Sequence, residues 1–332
     1  MNHSYEITCG QLAIQNLGAT MVINDSIKNV LRNFAKYKPN ALMLVPLYVE
    51  TMYKKIWSEI DKKGMRKQVR LLMKISDALL KIGVDMRPKF FSQITGALGG
   101  NLKHIVVGGA PMRSEIIKDF RSFGIYILEG YGITECSPLV AVNRLGEERA
   151  HSVGPAVECC QIRIDKQPGE ETGEIVVKGD NVMLGYYKNP EATKEVFTDD
   201  GWFRTGDIGY MDKDQYIYIT GRKKNVIILS NGKNIFPEEI EEHLSERSDI
   251  IAESVVIGRP NASGETVITA VIYPNPDFSK EKSKEEVFEA VKNVVTEINK
   301  SLPVYKQVRD TEIRETEFEK TTTRKIKRFL VK

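Results

Sequence analysis

Two apolar runs, "HIVVGG" and "IYILEG", each end in glycine, and the helix-patterned "RSEIIKDFRSFG" lies between them. That order constrains the fold more than any other feature, because parallel neighbouring strands need a crossover of this kind. "ALMLVP" reads as a further buried strand closed by Pro46, "TMVIN" as another, and "SIKNVLRNFAKY" as a helix opened by Ser26. Residues 48–98 read as mostly helical. The expected class is α/β, with a mixed or parallel sheet covered on both faces. Ligands of such sheets bind at the carboxyl ends of the strands. The glycine-marked exits "GGAPM" and "GYGITE" both fall there, and as adjacent units they are expected to face one crevice. Gly130 and Gly132 permit a tight backbone, after which Thr134 and Glu135 stand together. Spacing alone leaves a ligand site and a simple turn both open.

From residue 150 the texture changes to short strands and turns ("CQIRID", "GEIVVKG", "GYMDKDQYIYITG"), which predicts a β-rich subdomain. After "TGRKKNV" come a hairpin-like "NVIILSNG", a helix "PEEIEEHLSE" with Pro237 at its start, two strands, and a helix from about Ser283 to Lys300. The expected division is 1–149 (α/β part), 150–221 (β-rich part of the same domain) and 222–332 (α+β terminal domain), with the boundary near Gly221–Lys224. A chain of 332 residues is long for one core. Its 41% hydrophobic and 28% charged content suits a soluble globular protein, and a net charge of +3 gives no nucleic-acid field. Cys9, Cys136, Cys159 and Cys160 form no C-x-x-C pair, which points to a reducing cytoplasm. "KKIWSEIDKKGMRKQVRLLMKISDALLKIG" is basic and amphipathic. It reads as a helix pair with a solvated face; peripheral contact with the inner membrane face is the second reading.

Neither common nucleotide motif is present. Glu135 stands where a dinucleotide fingerprint needs its third glycine, and "SNGKN" lacks the first glycine of a P-loop. Asp207 lies between glycines, with Arg222 fifteen residues on. A carboxylate can accept from both hydroxyls of a ribose and an arginine can add a charged donor, although the stretch alone also reads as a plain hairpin. Lys325, in "EKTTTRKIKR", sits in a run too polar for a core.

"GYGITE", "GWFRTGDIG", "ITGRKKNVI" and "KTTTRKIKR", in this order and spacing, resemble the adenylate-forming (AMP-binding) acyl- and aryl-CoA synthetases. "HSYE", "GGAPM" and "LSNGKNIFPEEIEE" are most similar to the bacterial long-chain fatty-acid–CoA ligases, and the likeness covers essentially the whole chain. It implies that a fatty carboxylate attacks the α-phosphate of ATP to give acyl-AMP, and that coenzyme A then displaces AMP. By the same resemblance Glu135 holds Mg2+, Thr134 bonds a phosphate oxygen, and Tyr131 stacks on adenine. Gly130 and Gly132 flank that ring, with Gly109, Ala110 and Pro111 along its other edge. Asp207 and Arg222 bind the ribose, Lys325 bridges carboxylate and α-phosphate, and Lys224 is the hinge of a mobile lid. Gly232 and Lys233 line the coenzyme A channel, and His3 lies near the acyl carboxylate.

The family's Ser/Thr/Gly-rich phosphate loop, which precedes "HSYE", has no counterpart here, and Arg324 stands at the family's usual glycine. The expectation is therefore a truncated large domain, inactive alone, either a fragment or the product of an interrupted gene. Self-association through an open sheet edge is a further expectation. The alternatives are a carrier-protein acceptor, an aryl acid, or a non-catalytic module that binds nucleotide or acyl group.

Overall fold

Ala41–Leu44 (β1), His104–Gly108 (β2) and Tyr126–Gly132 (β3) lie side by side as parallel strands in the computed structural model. Leu139–Val142 (β4) adds antiparallel to β3, giving the order β1-β2-β3-β4 in a mixed sheet. The structure describes residues 3–230, 232–321 and 325–331. Helices Pro46–Lys62 and Arg66–Lys81 form the expected pair from the basic stretch. Val49, Tyr53, Trp57 and Ile60 recur at helical spacing on the first, Val69 and Met73 on the second, and all are buried. They pack with Ile116 and Phe120 of helix Ser114–Ser122 and with Ile105, Val107 and Ile127 of the sheet. Each fully buried side chain of this size contributes ~1.5–3 kcal/mol, so the β2–helix–β3 unit has a firm base.

One expected strand is absent. Thr20–Asn24 ("TMVIN") forms no ladder, and Val22 and Ile23 are each 48% exposed. A run this short holds extended structure only when a neighbour supplies hydrogen bonds, and no strand among the described residues does so.

Cys160–Asp165 (β5), Gly173–Gly179 (β6), Phe203–Met211 (β7) and Ile217–Arg222 (β8) form a second sheet in sequence order. Contacts divide the chain into Met1–Thr205 with Tyr210–Ile219, and Gly206–Gly209 with Thr220–Lys332. The division thus falls inside β7 and β8.

In the second unit Ile227–Ile228 (β9) and Asn234–Ile235 (β10) make a short hairpin. Ile251–Pro260 (β11) pairs antiparallel with Thr266–Pro274 (β12), and Asp310–Ile313 (β13) pairs parallel with β12. Helices Pro237–Ser245 and Lys284–Ser301 bring Ile240, Leu244 and Val291 against Val256 and Ile272. Ser283 opens the longer helix with a capping box to Glu286, which satisfies two otherwise orphaned amides. Val255 and Val271, which face the other way, pack with Phe318. No described helix is long and apolar enough to cross a membrane.

Candidate functional site

In the first unit the two glycine exits are neighbours, since Gly108 is paired with Gly130 across β2 and β3. Gly109 adopts φ +91°, and a Cβ there would meet nothing within 4 Å, so the backbone turns out into open space. Ala110 and Pro111 follow it as exposed residues. The loop is held from below: the Met112 amide donates to Glu129 Oε1 at 3.2 Å. Across the exit, Gly132 passes so close to β4 that a Cβ would lie 2.1 Å from the Pro138 carbonyl oxygen.

Beyond Gly132 the chain makes a single turn over Thr134–Cys136. Thr134 is exposed and Glu135 half-buried. The Tyr186 hydroxyl donates to Glu135 Oε1 at 3.0 Å, and the Met183 amide donates to the Glu135 carbonyl at 2.7 Å. Loss of water, and then the Glu135 carboxylate, push the Tyr186 hydroxyl above its ordinary pKa, so it remains a donor. Tyr131 sits differently from its neighbours. It is 7% exposed and packed with Cys136, Val140 and Ala141. His3 is exposed, and its Nδ1 accepts from the Tyr5 amide at 3.2 Å. The member of "HSYE" that reaches the strand ends is Tyr5. Its hydroxyl donates to the Val106 carbonyl at 2.9 Å, and its ring lies 3.7 Å from the position a Cβ on Gly108 would take.

The second unit gathers the other polar residues. Asp207 is 3% exposed and pairs with Arg222 Nε at 2.8 Å. Lys325 lies within electrostatic reach of both. Loss of water around the amine, and then the Arg222 guanidinium, hold it below the ordinary lysine pKa, while Asp207 pulls the other way. The residue as a whole is exposed, while its amine has neighbours close enough to displace water. Lys325 stands on a narrow ribbon: Lys320 bridges Ile326, and the Thr321 amide donates to the Lys325 carbonyl at 2.8 Å. Arg324 lies outside the described residues. Lys224 is exposed in the turn Lys223–Asn225, whose Asn225 Nδ2 donates to Glu238 Oε1 at 2.6 Å. Gly232 and Lys233 are exposed on the β9–β10 turn, with the Lys233 ammonium 3.9 Å above the Tyr305 ring.

Each unit therefore brings together part of the expected set. Gly109–Pro111, Gly130–Gly132 and Thr134–Glu135 meet in the first; Asp207, Arg222 and Lys325 meet in the second. Sequence reasoning passed over Tyr5, Glu129 and Tyr186. Tyr5 lies inside a quoted motif, but its partner is 101 residues away, and no local pattern carries that pairing.

A nucleotide and a magnesium ion fit these groups. The exits offer open backbone at Gly109 and an exposed hydroxyl at Thr134. Among the described residues no group of three His, Cys, Asp or Glu could hold a metal by itself. Glu135 supplies one carboxylate, which matches the way Mg2+ shares its shell between one or two carboxylates, phosphates and water.

Comparison with known proteins shows the family and the fold. Residues 1–187 match the AMP-binding enzyme family, and residues 224–331 match the AMP-binding enzyme C-terminal domain. A long-chain-fatty-acid–CoA ligase of Mycobacterium bovis is 33% identical over 262 residues, covering 72% of this chain and 41% of the relative. An acyl-activating enzyme of Arabidopsis thaliana is 30% identical, covering 92% and 49%. The chain thus spans about half or less of the length of these curated relatives. Among solved structures, the anthranilate CoA ligase AuaEII in complex with anthranoyl-AMP superposes with TM-score 0.73 at 23% identity, covering 98% of this chain and 56% of that one. The o-succinylbenzoate CoA synthetase of Bacillus subtilis gives TM-score 0.72 at 22% identity, covering 99% and 58%. Both confirm the fold. By its matched residues, the chain belongs to the AMP-binding enzyme family.

Proposed function

We propose that the protein takes part in ATP-dependent activation of a long-chain fatty acid, first to acyl-AMP and then to its coenzyme A thioester. The observation that carries this reading is the meeting of Asp207, Arg222 and Lys325, which lie far apart in sequence, in one polar group of the second unit. The names of the relatives, long-chain-fatty-acid–CoA ligases among them, support the acyl class.

Adenylation gathers negative charge at phosphorus, so placed cations and donors are its main requirement. Asp207 is ionised against Arg222 and accepts from ribose hydroxyls. Lys325 has a compact charge on a flexible stem and follows the α-phosphate as the carboxylate attacks. Loss of water around its amine lowers its pKa, so the protein has already stripped part of the solvent that phosphate binding would otherwise have to remove. Thr134 donates to a phosphate oxygen. Glu135, steadied by Tyr186, is the carboxylate that would hold Mg2+, and the ion would neutralise phosphate charge there. Gly109–Pro111 and Gly130–Gly132 form the backbone walls for adenine. The Tyr131 ring, packed with Cys136, Val140 and Ala141, gives those walls a fixed base. Lys224 is the backbone position at which the terminal domain turns between half-reactions, after which Gly232 and Lys233 meet coenzyme A. His3 is assigned to the acyl end.

Calorimetric titration with a non-hydrolysable acyl-AMP analogue tests the reading. Charged hydrogen bonds contribute ~1.5–3 kcal/mol each, so Asp207→Ala is expected to weaken binding by at least ~10-fold. Absence of binding to the unaltered chain, or binding indifferent to Asp207→Ala, would overturn it.

A further inference from the structure

Lys325 stands on a two-armed ribbon, and each arm is tied to the second unit by different chemistry. The outgoing arm is held by the buried Phe318 and by Glu253, which accepts from the Phe318 amide at 3.1 Å and pairs with Lys320. The returning arm carries Arg328, three residues beyond Lys325. Its Nη2 meets both carboxylate oxygens of Glu241 at 2.5 Å, and its Nη1 donates to the Val256 carbonyl at 2.7 Å. Glu241 Oε1 in turn accepts from the Val256 amide at 2.5 Å. One carboxylate and one guanidinium thus close both backbone groups of a single β11 residue and the end of the ribbon.

Glu241 lies on helix Pro237–Ser245, whose other acids are also committed. Glu238 accepts from Asn225, beside Lys224, and Glu239 takes Lys306 at 2.8 and 2.9 Å. A single helix therefore reaches the turn around Lys224 through Glu238 and the Lys325 ribbon through Glu241.

We infer that the Glu241–Arg328 pair is a positioning device for Lys325: it holds the returning arm so that the amine stands beside Asp207 and Arg222. The inference rests on the role proposed for Lys325 above, but it concerns placement of the amine and needs no ligand to be tested. A guanidinium suits the task because its planar fork fixes direction, which an ammonium does not. Burial pushes the Glu241 carboxyl up, and the Arg328 guanidinium is the largest force opposing that. Removing Arg328 therefore leaves a desolvated charge as well as a loose ribbon.

The measurement is competitive acetylation of amines with acetic anhydride across a pH series, with mass spectrometry of the peptide that contains Lys325. In the unaltered chain the groups facing this amine, Asp207 and Arg222, and its lost water set a midpoint below that of an ordinary lysine. Arg328→Gln and Glu241→Gln are expected to move the midpoint up toward ~10.4, as the amine swings into water. Arg328→Lys, which keeps charge and loses the fork, should move it part of the way and guards against simple unfolding of the harsher variants. Lys306→Gln breaks an ion pair on the same helix and should leave the midpoint in place. Unchanged midpoints in Arg328→Gln and Glu241→Gln would overturn the inference. So would an equal shift in Lys306→Gln, since that would signal general loosening. Failure of the adenylate analogue to bind would count against the proposed function and leave this readout intact.

Discussion

Lys325 is charged where charge is disfavoured. Burial of its amine and the like charge of Arg222 together outweigh the pull of Asp207, so its folded pKa lies below its unfolded value. The linkage has a definite sign. Below the folded pKa the ammonium carries a stability cost, and that cost is relieved as pH climbs from the folded value to ~10.4, where the unfolded chain also loses its proton. Lys325→Met keeps the stem and removes the charge. It is expected to raise the melting temperature at neutral pH, with the gain closing as pH climbs to ~10.4 and absent above it. A lower melting temperature at neutral pH would mean that Asp207 outweighs desolvation. The pair Asp207–Arg222 is a different case. Asp207 is almost wholly buried and paired with Arg222 Nε at 2.8 Å, so removing the guanidinium would take an ion-pair partner from a desolvated carboxylate.

At the scale of elements, the decisive contact is between the end of β3 and β4. The ladder shifts register between Tyr131 and Gly132, and Gly132 slides under the Pro138 carbonyl. A methyl group there meets backbone, which cannot rotate away as a side chain could. Gly132→Ala is therefore expected to cost ~1–3 kcal/mol, read as a lower urea midpoint with an unchanged slope. Apart from "TMVIN", the main strands and helices that the residues announced locally are present. "HIVVGG" and "IYILEG" are strands because unbroken apolar runs bounded by glycine leave few alternatives, and Ser283 begins a helix because its side chain caps one. "TMVIN" has the same local texture, and what it lacks is a partner, which no property of the five residues supplies. The site divides along the same line. The glycine exits and the Thr134–Glu135 pair can be placed at strand ends from order and spacing, while their role as a ligand site comes only from the resemblance. Tyr186 on Glu135, Glu129 under the Met112 amide and Arg328 on Glu241 are bonds between elements far apart in the chain, and they exist only once the sheets are assembled. The acids of "PEEIEE" read at first as a favourable charge at a helix start; in the fold each of Glu238, Glu239 and Glu241 has its own partner.

On the scale of the whole molecule, the chain has separate cores. One gathers around Ile105, Val107, Phe120 and Trp57 in the first unit; another gathers around Ile240, Leu244, Val256 and Val291 in the second. Buried apolar contacts are the main source of cooperativity, so each core should set the stability of its own unit. Ile240 is 0% exposed, and its truncation leaves a void that flanking β-strands fill poorly. Ile240→Ala is expected to cost ~2–5 kcal/mol in the second unit. Hydrogen exchange followed by mass spectrometry resolves where the cost falls. Amides of β11, β12 and helix Lys284–Ser301 should exchange faster by a common factor, because they share the weakened core. Amides of β2 and helix Ser114–Ser122 should keep their protection. Protection lost equally in both sets would mean that the units unfold as one body, and Lys325 would then share its stability with the glycine exits of the first sheet. Confinement of the loss to the second set would let the lysine ribbon and its Glu241–Arg328 anchor loosen while the strand exits carrying Thr134 and Glu135 stay in place.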